Sequence, residues 1–246
     1  MAFSLSIIHK HYFMIDIGLI LISGIFLVIG LIVSSTLKSK FAKYSKEPLS
    51  SGLSGKEIAE KMLKENGIYD VKVLNVEGSL TDHYNPANKT VNLSTDVFNG
   101  RNIAAAAVAA HECGHAVQHS TAYQWLTMRS KIVPVVQIAS NLMSFLTFGL
   151  AFAAYSIPSM LNSMLLIFIV LQGTITLFSV ITLPVEIDAS KRALAWLDNS
   201  RLTKNHEHEE AKDALNWAAY TYFVAALGSI ATLLYYIWRY TNNERD

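Results

Sequence analysis

The chain has 246 residues (27.3 kDa), of which 52% are apolar and only 16% charged, with 20 Lys and Arg against 19 Asp and Glu. A soluble domain carries about 25% charged residues. This shortfall, with a mean hydropathy of +0.30 concentrated in a few runs, argues against both a soluble globule and a disordered chain. A net charge of +1 leaves no extended basic footprint for nucleic acid, and a single cysteine, Cys113, excludes an intrachain disulfide.

In chain order, the first run long enough to cross a bilayer is 14–33, whose one charge, Asp16, lies at its edge. Its length, and the lack of a small-residue cleavage site after it, favour an anchor over a cleaved signal peptide. The segment 34–131 reads as a folded catalytic domain. Ser54-Gly55-Lys56-Glu57 has the form of a capping box, and Ile58, Ala59, Met62 and Leu63 follow at helical spacing, so a helix runs to about Asn66 and stops at Gly67. Val71, Val73 and Val76, the turn residues Asn85 to Asn88, and the alternating Val91, Asn92 and Leu93 read as a short strand pair. From Ile103 an Ala-rich run propagates a buried helix. Two further apolar runs, at 132–155 and 160–183, flank the turn Ser156-Ile157-Pro158-Ser159 and read as a transmembrane hairpin over 132–183. A polar helical segment, 184–215, precedes a fourth span at 216–238 with aromatic residues at both ends.

Twelve Lys and Arg lie between the first and second spans and five between the third and fourth; the hairpin turn has none and the tail has two. By the positive-inside rule both hydrophilic segments are cytoplasmic and share one side of a cell membrane. The fold class expected is mainly α: a polytopic membrane protein with about four transmembrane helices and a cytoplasmic, zincin-like α+β domain with a short β-sheet.

At the end of the Ala-rich helix stands His111-Glu112-Cys113-Gly114-His115, an H-E-x-x-H. Imidazoles one turn apart project from one face and can chelate a single zinc, with Glu112 placed to deprotonate a metal-bound water. A catalytic zinc takes a third protein ligand. His119 is about 12 Å further along the helix from His111, beyond reach of the same metal. His206 and His208 lie in a polar stretch, and His83 precedes a strand as a candidate for the substrate site. Glu186 is the strongest candidate for the third ligand. It lies at the cytoplasmic end of the third span, read as the start of a helix with Pro184 in its first turn, and a carboxylate there is costly unless it binds a cation. Its bland alternative is a pairing with Lys191 or Arg192. Cys113, turned away from both histidines, reads as packed core.

Several blocks, in order, resemble the YugP-like family of bacterial neutral zinc metallopeptidases: Ser51 to Gly55, Asp82-His83-Tyr84-Asn85-Pro86, Ala109 to Gln118, and Leu183 to Ser190 with Arg192-Ala193. The layout is more distantly similar to HtpX-like membrane proteases, whose ligand glutamate heads an E-x-x-x-D pattern; here Ser190 stands at the Asp position. The resemblance implies a Zn2+-dependent, H-E-x-x-H…E type endopeptidase of membrane or membrane-associated proteins. Its metal is held by His111, His115 and Glu186, with Glu112 as general base. Ser190 and Asp188 are expected around the ligands. His83, Tyr84, His119 and Tyr123 are candidates to stabilise the oxyanion, with His83 first. Tyr84, Val91, Asn92 and Leu93 are expected to bind substrate, the Val91-Asn92-Leu93 strand by taking an extended chain as an added strand. The expected partners are protein or peptide substrates and the lipid bilayer, with no nucleic acid. The competing reading is a noncatalytic zinc-stabilised scaffold or transporter-like subunit, which has no need of Glu112.

Overall fold

A computed structural model describes residues 17–156 and 161–243, with the side chains of 17–147 and 164–242. In chain order the elements are α1 (Ile17–Tyr44), α2 (Gly55–Glu65), β1 (Lys72–Val76), β2 (His83–Asn85), β3 (Thr90–Ser94), α3 (Thr95–Asn99), α4 (Ile103–Ser120), α5 (Gln124–Ser156), α6 (Leu161–Asn199) and α7 (Asn205–Asn243). The protein is mainly helical. Among the described residues three helices are long and apolar enough to cross a membrane: Ile17–Tyr44, Met164–Asn199 and Asn205–Asn242. Helix α5 covers the stretch read as the second span. The hairpin turn expected at 156–159 falls, beyond Ser156, outside the described residues.

The chain divides into two units, Met1–Leu31 with Ser130–Val180 and Phe223–Asp246, and Ile32–Arg129 with Ile181–Tyr222. In the first, long apolar side chains stay exposed along the helices, as Leu21, Leu27 and Leu31 do on α1. The polar exceptions are paired across helices: Gln172 Nε2 donates to Ser229 Oγ (3.0 Å), and the Thr176 and Ser229 hydroxyls lie 2.8 Å apart. Such bonds join helices where apolar burial gives no driving force.

The second unit has a conventional core, formed where Ile58 and Met62 of α2, Val91 and Leu93 of β3, the alanines of α4 and Leu197 of α6 exclude water. Ser54 caps α2 through a reciprocal capping box with Glu57, and Asn102 Oδ1 caps α4 by accepting from Ala105 N–H at 2.8 Å. The expected strand pair is a three-stranded mixed sheet of order β1-β3-β2. β1 runs parallel to β3, Lys72 opposite Thr90, and β2 runs antiparallel to it, His83 opposite Asn92. The Asn85 turn therefore joins β2 to β3, its Oδ1 accepting from Ala87 N–H at 2.9 Å. This arrangement corrects the docking role expected of Val91, Asn92 and Leu93. β3 is the central strand, paired along its length with β1 and at Thr90–Asn92 with β2, its Ser94 N–H is taken by Asp82, and all five of its residues are buried, which leaves it little edge to offer a substrate.

Helix α6 is continuous through Pro184, which sits inside it and not in the first turn of a new helix. Its C-terminal half packs on α4 at one point of close approach, Gly114. A Cβ built there would lie 2.5 Å from Ala189 O, an atom of helical backbone with no freedom to swing aside. Gly114→Ala ordinarily adds up to about 1 kcal/mol to a helix, but overpacking at this contact costs about 1–3 kcal/mol. The variant is expected to unfold at lower temperature and to bind metal less well; an unchanged melting temperature would show that the two helices are not held at this contact.

Candidate metal centre

His111 and His115 lie one turn apart on α4, and their rings meet edge to face with centroids 4.8 Å apart. Across from them α6 presents Glu186, 2% exposed. His111 Nε2 is 3.4 Å and His115 Nε2 3.5 Å from Glu186 Oε2. The three ligand atoms all lie within 4.8 Å of one another.

These separations are long for a hydrogen bond, whose usual range is about 2.7–3.2 Å. Glu186 Oε2 is buried with no hydrogen-bond partner. Three donors at about 2.0–2.1 Å from one tetrahedral zinc are themselves about 3.3–3.4 Å apart, close to the two separations between Glu186 Oε2 and the imidazoles. A buried carboxylate oxygen without a partner, facing two imidazoles at that spacing, fits a shared cation. The donor set, two imidazoles and a carboxylate, is one that zinc accepts.

The groups behind the ligands fix which nitrogen faces inward. With Nε2 turned to Glu186, His111 Nδ1–H donates to Ser190 Oγ (3.1 Å) and His115 Nδ1–H to Gln118 Oε1 (3.0 Å). Gln118, fully buried, donates through Nε2 to Val185 O and to Asp188 Oδ2, both at 2.8 Å. Asp188 also accepts from Arg192 Nε at 2.6 Å, and Arg129 Nη1 donates to Glu186 Oε1 at 3.0 Å. Burial works against a charge on His115, but the Glu186 and Glu112 carboxylates outweigh it and hold the imidazole above its ordinary value. Glu112, 8% exposed, is positioned by Tyr84 N–H, which donates to its Oε2 at 3.0 Å. Cys113 is fully buried against Ala59 O, and burial beside Glu112 pushes its thiol well up, so it is an inert core residue.

The comparisons with known proteins agree with this geometry. Residues 19–241 match the model of a family described as "Putative neutral zinc metallopeptidase". The chain belongs to that family. It is 42% identical over 212 residues, 85% of this chain and 91% of the relative, to a protein of Bacillus subtilis (strain 168) named "Putative membrane protease YugP". No solved structure matches it.

Within this metallopeptidase family member, the structure brings some of the expected residues to the centre and leaves others out. Ser190 reaches His111 directly, whereas Asp188 reaches His115 only through Gln118. His83 is not drawn to the cluster. Its Nδ1–H donates to Thr81 O (2.7 Å) and its Nε2 accepts from Asn92 Nδ2 (3.2 Å), so this tautomer keeps no N–H for an oxyanion. Tyr84 meets Glu112 through its backbone, while its hydroxyl bonds His119 Nδ1 at 2.8 Å. Tyr123 stacks under Arg192. The polar residues of β3 are occupied too, Asn92 with Thr90 Oγ1 (2.9 Å) and Ser94 with Asp82. Glu186 pairs with Arg129, and Arg192 with Asp188.

Three residues of the centre were not singled out from the sequence: Gln118, Arg129 and Tyr222, the last lining a small cavity with His111, Glu112 and Glu186. Gln118 carried a usable signal, a polar residue three positions beyond His115 in an apolar helix. Losing such a support for a ligand costs about 10–100-fold in metal affinity. Competitive chelator titration is expected to show that loss for Gln118→Ala, and a loss near tenfold for Ser190→Ala. Equal affinity in both variants and the parent would mean that neither group orients a ligand.

Proposed function

We propose that the protein is a membrane-embedded zinc metalloendopeptidase of the H-E-x-x-H…E type, acting on membrane or membrane-associated proteins. The observation that carries this reading is the convergence of His111, His115 and the unpartnered Glu186 Oε2 beside a separate, positioned carboxylate, Glu112. In this reading His111, His115 and Glu186 hold the metal, with Ser190, Gln118 and Asp188 orienting them. Zinc, when bound, acidifies a water and polarises the scissile carbonyl. Glu112 takes the water's proton and passes it to the leaving amine. The Tyr84 N–H bond keeps Glu112 aimed for the first of these steps. Tyr222, which lines the same small cavity, is the phenol available to donate to the developing oxyanion. Arg129 balances the carboxylate oxygen of Glu186 that faces away from the histidines.

The proposed topology has spans at 14–33, within 132–183 and at 216–238, with 34–131 and 184–215 on the cytoplasmic side. The support for it is the twelve and five Lys and Arg of those two segments. A noncatalytic metal-stabilised scaffold would use the same ligands, and Arg129 would serve it equally well. Glu112 separates the two readings, since a purely structural site has no work for a general base.

The test follows from that separation. Glu112→Gln is expected to keep about one zinc per chain while peptide hydrolysis falls by at least about 100-fold. Hydrolysis retained in Glu112→Gln, with the metal in place, would remove Glu112 from the mechanism.

A further inference from the structure

Arg129 meets Glu186 from one side only. Its Nη1 lies 3.0 Å from Oε1, whereas Oε2, the oxygen turned to His111 and His115, is buried without a hydrogen-bond partner. Arginine frequently pairs with a carboxylate through two parallel N–H bonds, one to each oxygen, and that is the stronger arrangement. Here the two oxygens are divided between two uses. As a charge partner Arg129 would suit any metal site, but charge alone does not require it to leave Oε2 uncovered.

The chain is shaped locally to place it there. α4 ends in a turn in which Tyr123 N–H donates to Gln118 O (2.9 Å) and Ala122 N–H to His119 O (3.1 Å), with Ala122 in the left-handed region at φ 51°. Glycine is the usual residue at such a position, because a Cβ is strained there. The turn redirects the chain into α5, whose second turn carries Arg129 to a carboxylate 57 positions away on α6. A carboxylate can bind zinc through one oxygen or through both. With Oε1 held by Arg129, Oε2 alone is left to join the imidazoles. The protein then supplies three donors and a fourth position stays open, as catalytic zinc sites require and closed structural sites do not. Were Oε1 to turn to the metal as well, it would crowd the place that the water and the scissile carbonyl need.

We propose that Arg129 is a positioning residue that restricts Glu186 to coordination through Oε2 alone and so keeps a place on the metal open. This role rests on the reading of the centre as a catalytic zinc site, and it names the group that stops the third ligand from closing that site.

The test uses the full-length protein purified with zinc, which itself compensates Glu186 when Arg129 is replaced. Infrared difference spectra, zinc-loaded minus metal-free, on protein carrying isotope-labelled glutamate report the separation between the antisymmetric and symmetric stretches of the ligand carboxylate. It is wide for coordination through one oxygen and narrow for coordination through two. The parent is expected to show the wide separation. In Arg129→Met it is expected to narrow, and cobalt(II) in the same site to lose visible absorption as its coordination number rises. In that variant kcat for a peptide substrate is expected to fall about 10–100-fold while about one zinc per chain is retained. An arginine that only neutralises charge predicts a separation that stays wide in Arg129→Met. That result, or a narrow separation in the parent, overturns the role of Arg129 and leaves the zinc site standing; the parent spectrum keeps the test decisive should the variant not fold. Zinc bound in a parent that hydrolyses no peptide removes the proteolytic reading, and the spectra still decide the role of Arg129. A parent that binds neither zinc nor cobalt overturns the metal centre and this role together.

Discussion

A carboxylate excluded from water must be compensated or neutralised, and Glu186 is such a group. One oxygen meets Arg129 at 3.0 Å; the other faces His111 and His115 at distances too long for good hydrogen bonds. The second half of that compensation is unfinished by protein atoms alone, and a cation on the three donors would complete it. Much of the second unit can be understood as the scaffolding this requires. α4 supplies two imidazoles on one face, α6 supplies the carboxylate and Ser190 one turn on, and Gly114 lets the two helices approach until their backbones touch.

Each ligand is also held from behind, which limits the rotamers open to it. His111 leans on Ser190, whose neutral hydroxyl accepts a proton bond without adding charge. His115 leans on Gln118, which passes the influence of Asp188 and, through Asp188, of Arg192. The two histidines therefore differ in what lies behind that first group: for His115 the chain goes on to the Asp188–Arg192 ion pair. Both histidines rest directly on neutral groups, and Asp188 meets His115 only through the Gln118 amide.

The features legible in the sequence are those whose cause is local. The capping box at Ser54 and Glu57, the one-turn spacing of His111 and His115, and the one-turn spacing of Glu186 and Ser190 each depend on residues within a few positions of one another. The apolar runs of the long helices are local in the same sense. Features set by distant partners were not legible. Arg129 and Glu186 are 57 positions apart and Gln118 and Asp188 are 70 apart, and no periodicity links them. β2 has three residues and no apolar alternation, so it passed as turn; without it β3 looked like an edge. Asn92 was expected to meet substrate, yet His83 and Thr90 already hold its side chain, and Asp82 holds Ser94. Tyr222 read as one of several interfacial aromatics, because composition alone does not distinguish a ring facing lipid from one lining a cavity.

The central claim is that His111, His115 and Glu186 bind one zinc together. Zinc K-edge X-ray absorption on the zinc-loaded protein tests it most directly. The account predicts multiple scattering from two imidazoles, oxygen or nitrogen neighbours at about 2.0–2.1 Å and no sulfur shell, with the first-shell signal changed in Glu186→Gln. A sulfur contribution, or a spectrum identical in Glu186→Gln and the parent, would contradict it.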